Sequence, residues 1–522
     1  MRRTPFYRSV LSAEPPRSPS EQETDGFLGY RRWVRLARRF ALEPQYRRLR
    51  RIVLVGLLVR LLLAPVSSWD FDTPGFVLSG ISTVYTGNPY ASSLWANPPL
   101  APYLAAPLLA IPTLLWGPQS LVAVASGVAP VTVVTGVNAT FLPSPIALLA
   151  WKLPLLLADL GVALLLYLLP PRLGLQVPFS REGLAAAWFL NPLVIWSSAV
   201  HGEVDSLAIL LVLLSLYAVI TEHWYSAGLL FGLGVFTKAY PLVLLPLLGV
   251  AVALWPSASP PPPRQWLRRA GRLAAGVAVG VVAFLSFLPQ TFGLIVSKAT
   301  NPNFGGMSLL ILYNRIAPGG ATGHWTVPTY IPTGLAVLSV FRIMAVLAVL
   351  LGAGFFAWRL WRRPSASRQE RFHWLFLAAL WAIVGVLLSD SVPQPENVVA
   401  LLPLMLLTLP APARWRRLAP YVLLSGAGLL MYWAFLTPLA MLYPGAALAG
   451  PAGVAWVNGV VLAYVHSPLL HGVLMTCAGV VGGAMLLLVW AHSGWLLLPE
   501  ELRPRRGEVS GDRTAPAPAT PV

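Results

Sequence analysis

The segment Ile146–Leu169 reads IALLAWKLPLLLADLGVALLLYLL, and it decides what kind of fold this chain can adopt. It offers only two ionisable side chains, Lys152 and Asp159. A helix needs roughly 20 apolar residues to cross the hydrocarbon of a bilayer, and this stretch is long enough. It has many companions. Apolar runs lie at 52–66, 98–116, 119–137, 184–200, 205–221, 225–238, 241–255, 273–290, 331–358, 373–389, 398–411, 419–437 and 469–497. Over 522 residues the chain is 56% hydrophobic and only 11% charged. An average soluble domain carries about 25% charged residues, so a water-soluble core is excluded. The expected class is all-α: a polytopic transmembrane helical bundle of about 12–14 spans, with the external loops carrying the site.

The formal charge of +18 would point to nucleic acid in a soluble protein. Its placement argues for a membrane instead. With the amino terminus inside, all 37 Lys and Arg residues but six fall in cytoplasmic segments. The six are Arg60, Lys152, Lys238, Lys298, Arg315 and Arg342. That is a positive-inside pattern, and it makes the chain a multi-pass cell-membrane protein in contact with lipid and not with nucleic acid. Residues 1–50 form a basic cytoplasmic segment. Within it, Leu28, Trp33, Leu36 and Phe40 alternate with arginines, as in an interfacial helix or a solvated basic arm. Residues 51–498 form the membrane domain, opening on a retained signal anchor, and 499–522 a polar tail. No internal repeat of the transporter kind is present.

The same threading gathers the scarce acidic residues Asp70, Asp72, Glu203, Asp205, Asp390 and Glu396 on the external side. Ionisable groups at a membrane boundary are costly and mark sites or pathways. Trp69-Asp70-Phe71-Asp72 places two carboxylates two residues apart, able to hold a metal or to act as a base. His201-Gly202-Glu203-Val204-Asp205 puts three ionisable groups into one tight turn between two runs. Lys238, in Thr237-Lys238-Ala239-Tyr240-Pro241, is on the wrong side for a topogenic charge. The seven histidines show no H-x-x-x-H or H-E-x-x-H spacing, although His201 and His324 could face the site. The single Cys477 excludes an internal disulfide and a multi-cysteine metal site.

These blocks, in this order, resemble the GT-C class of membrane glycosyltransferases. Within it they are most similar to glycosylphosphatidylinositol mannosyltransferase I and to prokaryotic polyprenyl-phosphate-mannose-dependent relatives. The resemblance rests on Asp70-Phe71-Asp72, Gly87-Asn88-Pro89-Tyr90, Pro98-Pro99-Leu100, Ala158-Asp159-Leu160, Asn191-Pro192, the turn from Gly202 to Asp205, and Lys238-Ala239-Tyr240-Pro241. It covers about residues 50–250. Further on, only Val392-Pro393-Gln394-Pro395-Glu396-Asn397 matches in character, and 117–145 reads as an insertion.

The resemblance implies a hexose, mannose first, carried on polyprenyl phosphate and transferred with inversion, with an aspartate of the first loop as the catalytic residue. Such a transfer needs a base for the acceptor's proton and positive charge for the departing phosphate. The base is expected at Asp70 or Asp72, and the phosphate partner at Lys238, with Arg315 and Lys298 behind it. Glu203, Asp205, His201 and Glu396 would bind sugar hydroxyls or hold the lysine. No cofactor is required by this scheme; a divalent cation at the D-x-D stays open. The acceptor is a glycolipid, a lipid-linked oligosaccharide or a protein hydroxyl. The competing expectations are a transporter or lipid flippase, which needs charges deep in the spans, and a structural subunit, whose carboxylates could be neutralised without consequence.

Overall fold

The computed structural model describes residues 43–69, 72–92, 97–123, 142–175, 177, 179–255, 263–300, 307–309, 332–390, 393–408, 415–435, 438–465 and 467–498. The expected interfacial helix at 27–40, most of the 119–137 run and the polar tail lie outside them. The chain divides into two units, residues 1–54 and 55–522. In the first, a short turn at Pro44–Tyr46 leads into a helix. The second contains the site.

Among the described residues every regular element is helical, and the sole β-bridge joins Val122 to Pro143. In chain order the helices are α1 (Arg47–Leu63), α2 (Asp72–Thr86), α3 (Leu100–Trp116), α4 (Pro145–Leu173), α5 (Arg181–Phe189), α6 (Pro192–Ile195), α7 (Asp205–Ile220), α8 (Trp224–Val235), α9 (Leu245–Leu254), α10 (Pro263–Val282) and α11 (Leu288–Thr300). They continue with α12 (Pro332–Arg362), α13 (Arg368–Ser389), α14 (Pro395–Val399), α15 (Leu402–Thr408), α16 (Trp415–Phe435), α17 (Tyr443–Leu448), α18 (Pro451–Val465) and α19 (Val473–Leu497).

Five of these segments are long and apolar enough to cross a membrane, and seven if each of two bent pairs counts as one span. Seven further apolar helices run to only 10–17 residues. Runs expected at 205–221 and 225–238 are among these shorter ones, as α7 and α8. The architecture is that of a helical membrane bundle. Its outer surface agrees: along α12, Ile343, Val346, Leu347, Leu350 and Leu351 are all more than half exposed. A soluble protein rarely leaves so continuous an apolar face in water; lipid accepts it.

The opening segment, α4, shows how sequence sets the boundaries. Ser144 caps its first turn by accepting from the Ala147 amide, and Gly174, at φ 67°, ends it in the left-handed conformation that suits glycine. Small residues govern another contact. A Cβ on Gly228 of α8 would lie 2.0 Å from the Leu273 carbonyl, and one on Gly276 of α10 would lie 2.0 Å from the Tyr225 carbonyl. Only glycine lets these two backbones touch, which is how helices associate where apolar burial gives no drive.

Two breaks position the site. Asn191-Pro192 interrupts the path from α5 to α6 with a 46° bend, because proline supplies no amide to the preceding helix. The chain then widens into a π-turn at Trp196–His201 that stops at Gly202, φ 86°. The Ser197 carbonyl closes this turn by accepting from the amides of both Gly202 and Glu203, each at 2.9 Å. A side chain at 202 would meet Lys152 and Trp151 at 3.2 Å besides straining the backbone, so glycine is required there.

Candidate active site

The turn from His201 to Asp205 is bolted to its surroundings by buried polar contacts. Trp151 Nε1 donates to the Gly202 carbonyl at 2.9 Å. Thr73 Oγ1 donates to the His201 carbonyl at 2.5 Å and accepts from the Trp69 amide at 2.8 Å, which ties the start of α2 to the turn. Lys152, fully buried, gives its ammonium to three carbonyls, those of Ala64 at 3.0 Å, Ser67 at 2.6 Å and Val200 at 2.9 Å. Below, Arg60 pairs with Asp159 at 2.8 Å, and Ser198 of the π-turn donates to the same carboxylate at 2.6 Å.

This frame brings side chains together from five parts of the sequence. His201 Nε2 lies 3.2 Å from Asp72 Oδ2 and 3.9 Å from Glu203 Oε1. Glu203 Oε2 lies 3.5 Å from Lys238 Nζ, and Asp205 Oδ2 takes the same ammonium at 2.5 Å. On its far side, His201 Nδ1 is 3.1 Å from Tyr432 Oη, and the Tyr432 hydroxyl donates to Glu396 at 3.3 Å. The imidazole is flanked by Trp69, stacked at 4.7 Å, and by Phe76 at 6.0 Å. Glu203, Asp205 and His201 are nearly inaccessible, whereas the Asp72 side chain keeps 35% of its exposure. The cluster is therefore a buried ionic floor with one carboxylate at its opening.

Lys238, in the connection after α8, belongs to that floor. Burial pulls its ammonium downward, but Asp205, Glu203 and Glu396 outweigh the penalty and hold it above its ordinary range. It is a fixed cation, already engaged on two sides.

Of the residues expected from sequence, the structure joins Asp72, His201, Glu203, Asp205, Lys238 and Glu396 in one network. Asp70, Arg315 and His324 lie outside the described residues, as does the side chain of Lys298. Asp390 ends α13 in the field of Arg342. Three participants have no role assigned to them from sequence: Tyr432, Trp69 and Lys152. Tyr432 sits inside an apolar run, more than two hundred residues from its histidine partner, where an aromatic is ordinary. Comparison with protein-family models and with characterised proteins finds no match.

Proposed function

We propose that this protein is a membrane glycosyltransferase of the GT-C type, moving a hexose, mannose first, from polyprenyl phosphate to an acceptor hydroxyl with inversion. The observation that carries the reading is Asp72: a partly exposed carboxylate, oriented by His201, at the mouth of a buried acidic and lysine cluster. In this scheme the carboxylate takes the proton of the acceptor hydroxyl as its oxygen bonds to the anomeric carbon. The bond from that carbon to the phosphate oxygen breaks on the opposite face, and the electron pair leaves with the polyprenyl phosphate. His201 keeps Asp72 in place, and Glu203 and Asp205 fix Lys238 near the departing charge. A phosphate needs no acid to leave, so a single base suffices where a glycosidase uses two carboxyl groups.

An apolar hollow lined by Met344, Ala348, Leu387, Leu487 and Trp490 supports a prenyl donor. It reaches Pro393, three residues from Glu396. The rival transporter reading asks for free charges deep in the bundle. The deep pair that the structure describes, Arg60 and Asp159, is locked: Arg60 also donates to the Phe189 carbonyl at 2.6 Å and lies over the Phe189 ring.

The test is incubation of purified protein with labelled polyprenyl-phosphate sugars and a membrane extract. A labelled glycolipid, oligosaccharide or protein supports the reading and names the acceptor. Failure to consume any labelled donor contradicts it.

A further inference from the structure

His201 presents Nε2 to two carboxylates at once, Asp72 at 3.2 Å and Glu203 at 3.9 Å. Which proton it carries is set from behind. The Tyr432 hydroxyl donates its hydrogen to Glu396, so its oxygen is free to accept from His201 Nδ1 at 3.1 Å. A neutral imidazole in that tautomer turns its Nε2 lone pair toward the carboxylates. Three electron-rich atoms aimed at one spot repel one another unless a cation lies between them, either a proton on Nε2 or a metal ion.

Three observations favour the metal. The first is charge. Asp72, Glu203, Asp205 and Glu396 face a single lysine, and every one of these groups except Asp72 is almost wholly buried. Three negative charges are left over; a proton on His201 cancels one of them, a divalent ion two. Uncompensated charge away from water is costly, so the larger compensation matters. The second is spacing. Nitrogen and oxygen ligands at about 2.1 Å from a metal lie about 3.0–3.4 Å from one another in octahedral or tetrahedral arrangements. Here one ligand atom from each of the three residues lies within 4.8 Å of the others, and the Asp72–His201 pair is already at 3.2 Å. Shifts of an ångström or less complete the set. The third is the Tyr240 hydroxyl, buried without a hydrogen bond and lying in the field of Asp205. Orphan polar atoms in a protein wall call for a partner, and the water of a hydrated ion is one.

We infer that Asp72, His201 and Glu203 bind one divalent transition-metal ion, with Tyr432 fixing the tautomer of the imidazole. One imidazole and two carboxylates suit Mn²⁺, Fe²⁺ or Zn²⁺ better than Ca²⁺ or Mg²⁺, which prefer all-oxygen shells. The Tyr432–Glu396 pair supplies the outer contact that metal-bound histidines ordinarily have. Asp72 lies at the mouth, so the remaining coordination positions face outward, toward an incoming anionic oxygen. On the transfer reading that oxygen belongs to the donor phosphate, whose approach to three carboxylates the ion would make favourable. Asp72 gives Oδ2 to the ion and keeps its second oxygen for the acceptor's proton. The ion's binding itself does not depend on sugar transfer.

The experiment uses the full chain in lipid nanodiscs, stripped with chelator and titrated with Mn²⁺, with no donor or acceptor present. Electron paramagnetic resonance counts the bound ion and detects any nitrogen coupled to it. The expected result is one tightly held Mn²⁺ per chain with an imidazole nitrogen coupling. Incorporating ¹⁵N-histidine into the unaltered protein should change that coupling, a readout that needs no variant to fold. His201→Ala should remove the coupling, and both it and Glu203→Gln should weaken binding at least tenfold. Glu222→Gln, which alters the carboxylate paired with Arg269 at 3.6 Å, should leave binding unchanged. Absence of tight Mn²⁺ binding, or bound Mn²⁺ without a nitrogen coupling, would overturn the inference and leave the transfer reading standing.

Discussion

Lys152 Nζ lies 2.9 Å from the Val200 carbonyl, deep inside the bundle and immediately before the histidine of the candidate site. The same ammonium reaches the carbonyls of Ala64 and Ser67, at the end of α1 and in the loop leading to Asp72. One side chain of α4 therefore pins both chain segments that meet in the cluster. Replacing it leaves three buried carbonyls short of a donor, each worth about 1–3 kcal/mol when unsatisfied, while the cost of burying the ammonium is recovered. Lys152→Met should lower stability by about 2–4 kcal/mol. Thermal unfolding in detergent measures this; an unchanged midpoint would mean that the three contacts do not hold the turn.

Arg60 and Asp159 make a sharper test of whether deep charges here are a lock or a pathway. Breaking a fully buried pair from one side typically costs about 3–5 kcal/mol, whereas replacing both partners by apolar residues is often close to neutral. Arg60→Met and Asp159→Leu should each destabilise the protein strongly, and the double variant should recover most of the loss. A double-mutant cycle on unfolding midpoints reads the coupling. Additive losses, with no recovery, would contradict the lock.

The positive-inside threading predicts opposite exposure for Asn88 and Arg268. After Cys477, which is exposed, is replaced by serine, a cysteine at 88 should react with an impermeant reagent added to intact cells. A cysteine at 268 should react only after the membrane is opened. The reverse labelling would invert the whole assignment of faces.

Much of this could be read in the chain because the decisive signals were local. The apolar runs announced helices, and the charges at His201, Glu203 and Asp205 stood out against Leu and Val. Lys238 was conspicuous because basic residues are rare on that side. What stayed hidden was contact at a distance. Lys152 reads as one more stray positive charge because backbone carbonyls, its partners among the described residues, leave no trace in sequence. Tyr432 and Trp69 look like ordinary aromatics of a membrane protein until His201 is seen between them. Helix length was legible in part: the apolar run 225–238 is already short for a span, and α8 within it holds 12 residues.

The claim on which the transfer reading depends is that Asp72 performs chemistry and does not merely complete a fold. The direct measurement is the rate of sugar transfer from labelled polyprenyl-phosphate mannose by purified wild-type protein and by Asp72→Asn, at equal amounts of folded protein. Asparagine keeps the shape and loses the basic oxygen, so the rate should fall by about 10²–10⁴-fold, the usual worth of a positioned base, with the unfolding midpoint almost unmoved. Transfer at the wild-type rate by the folded variant would contradict the account.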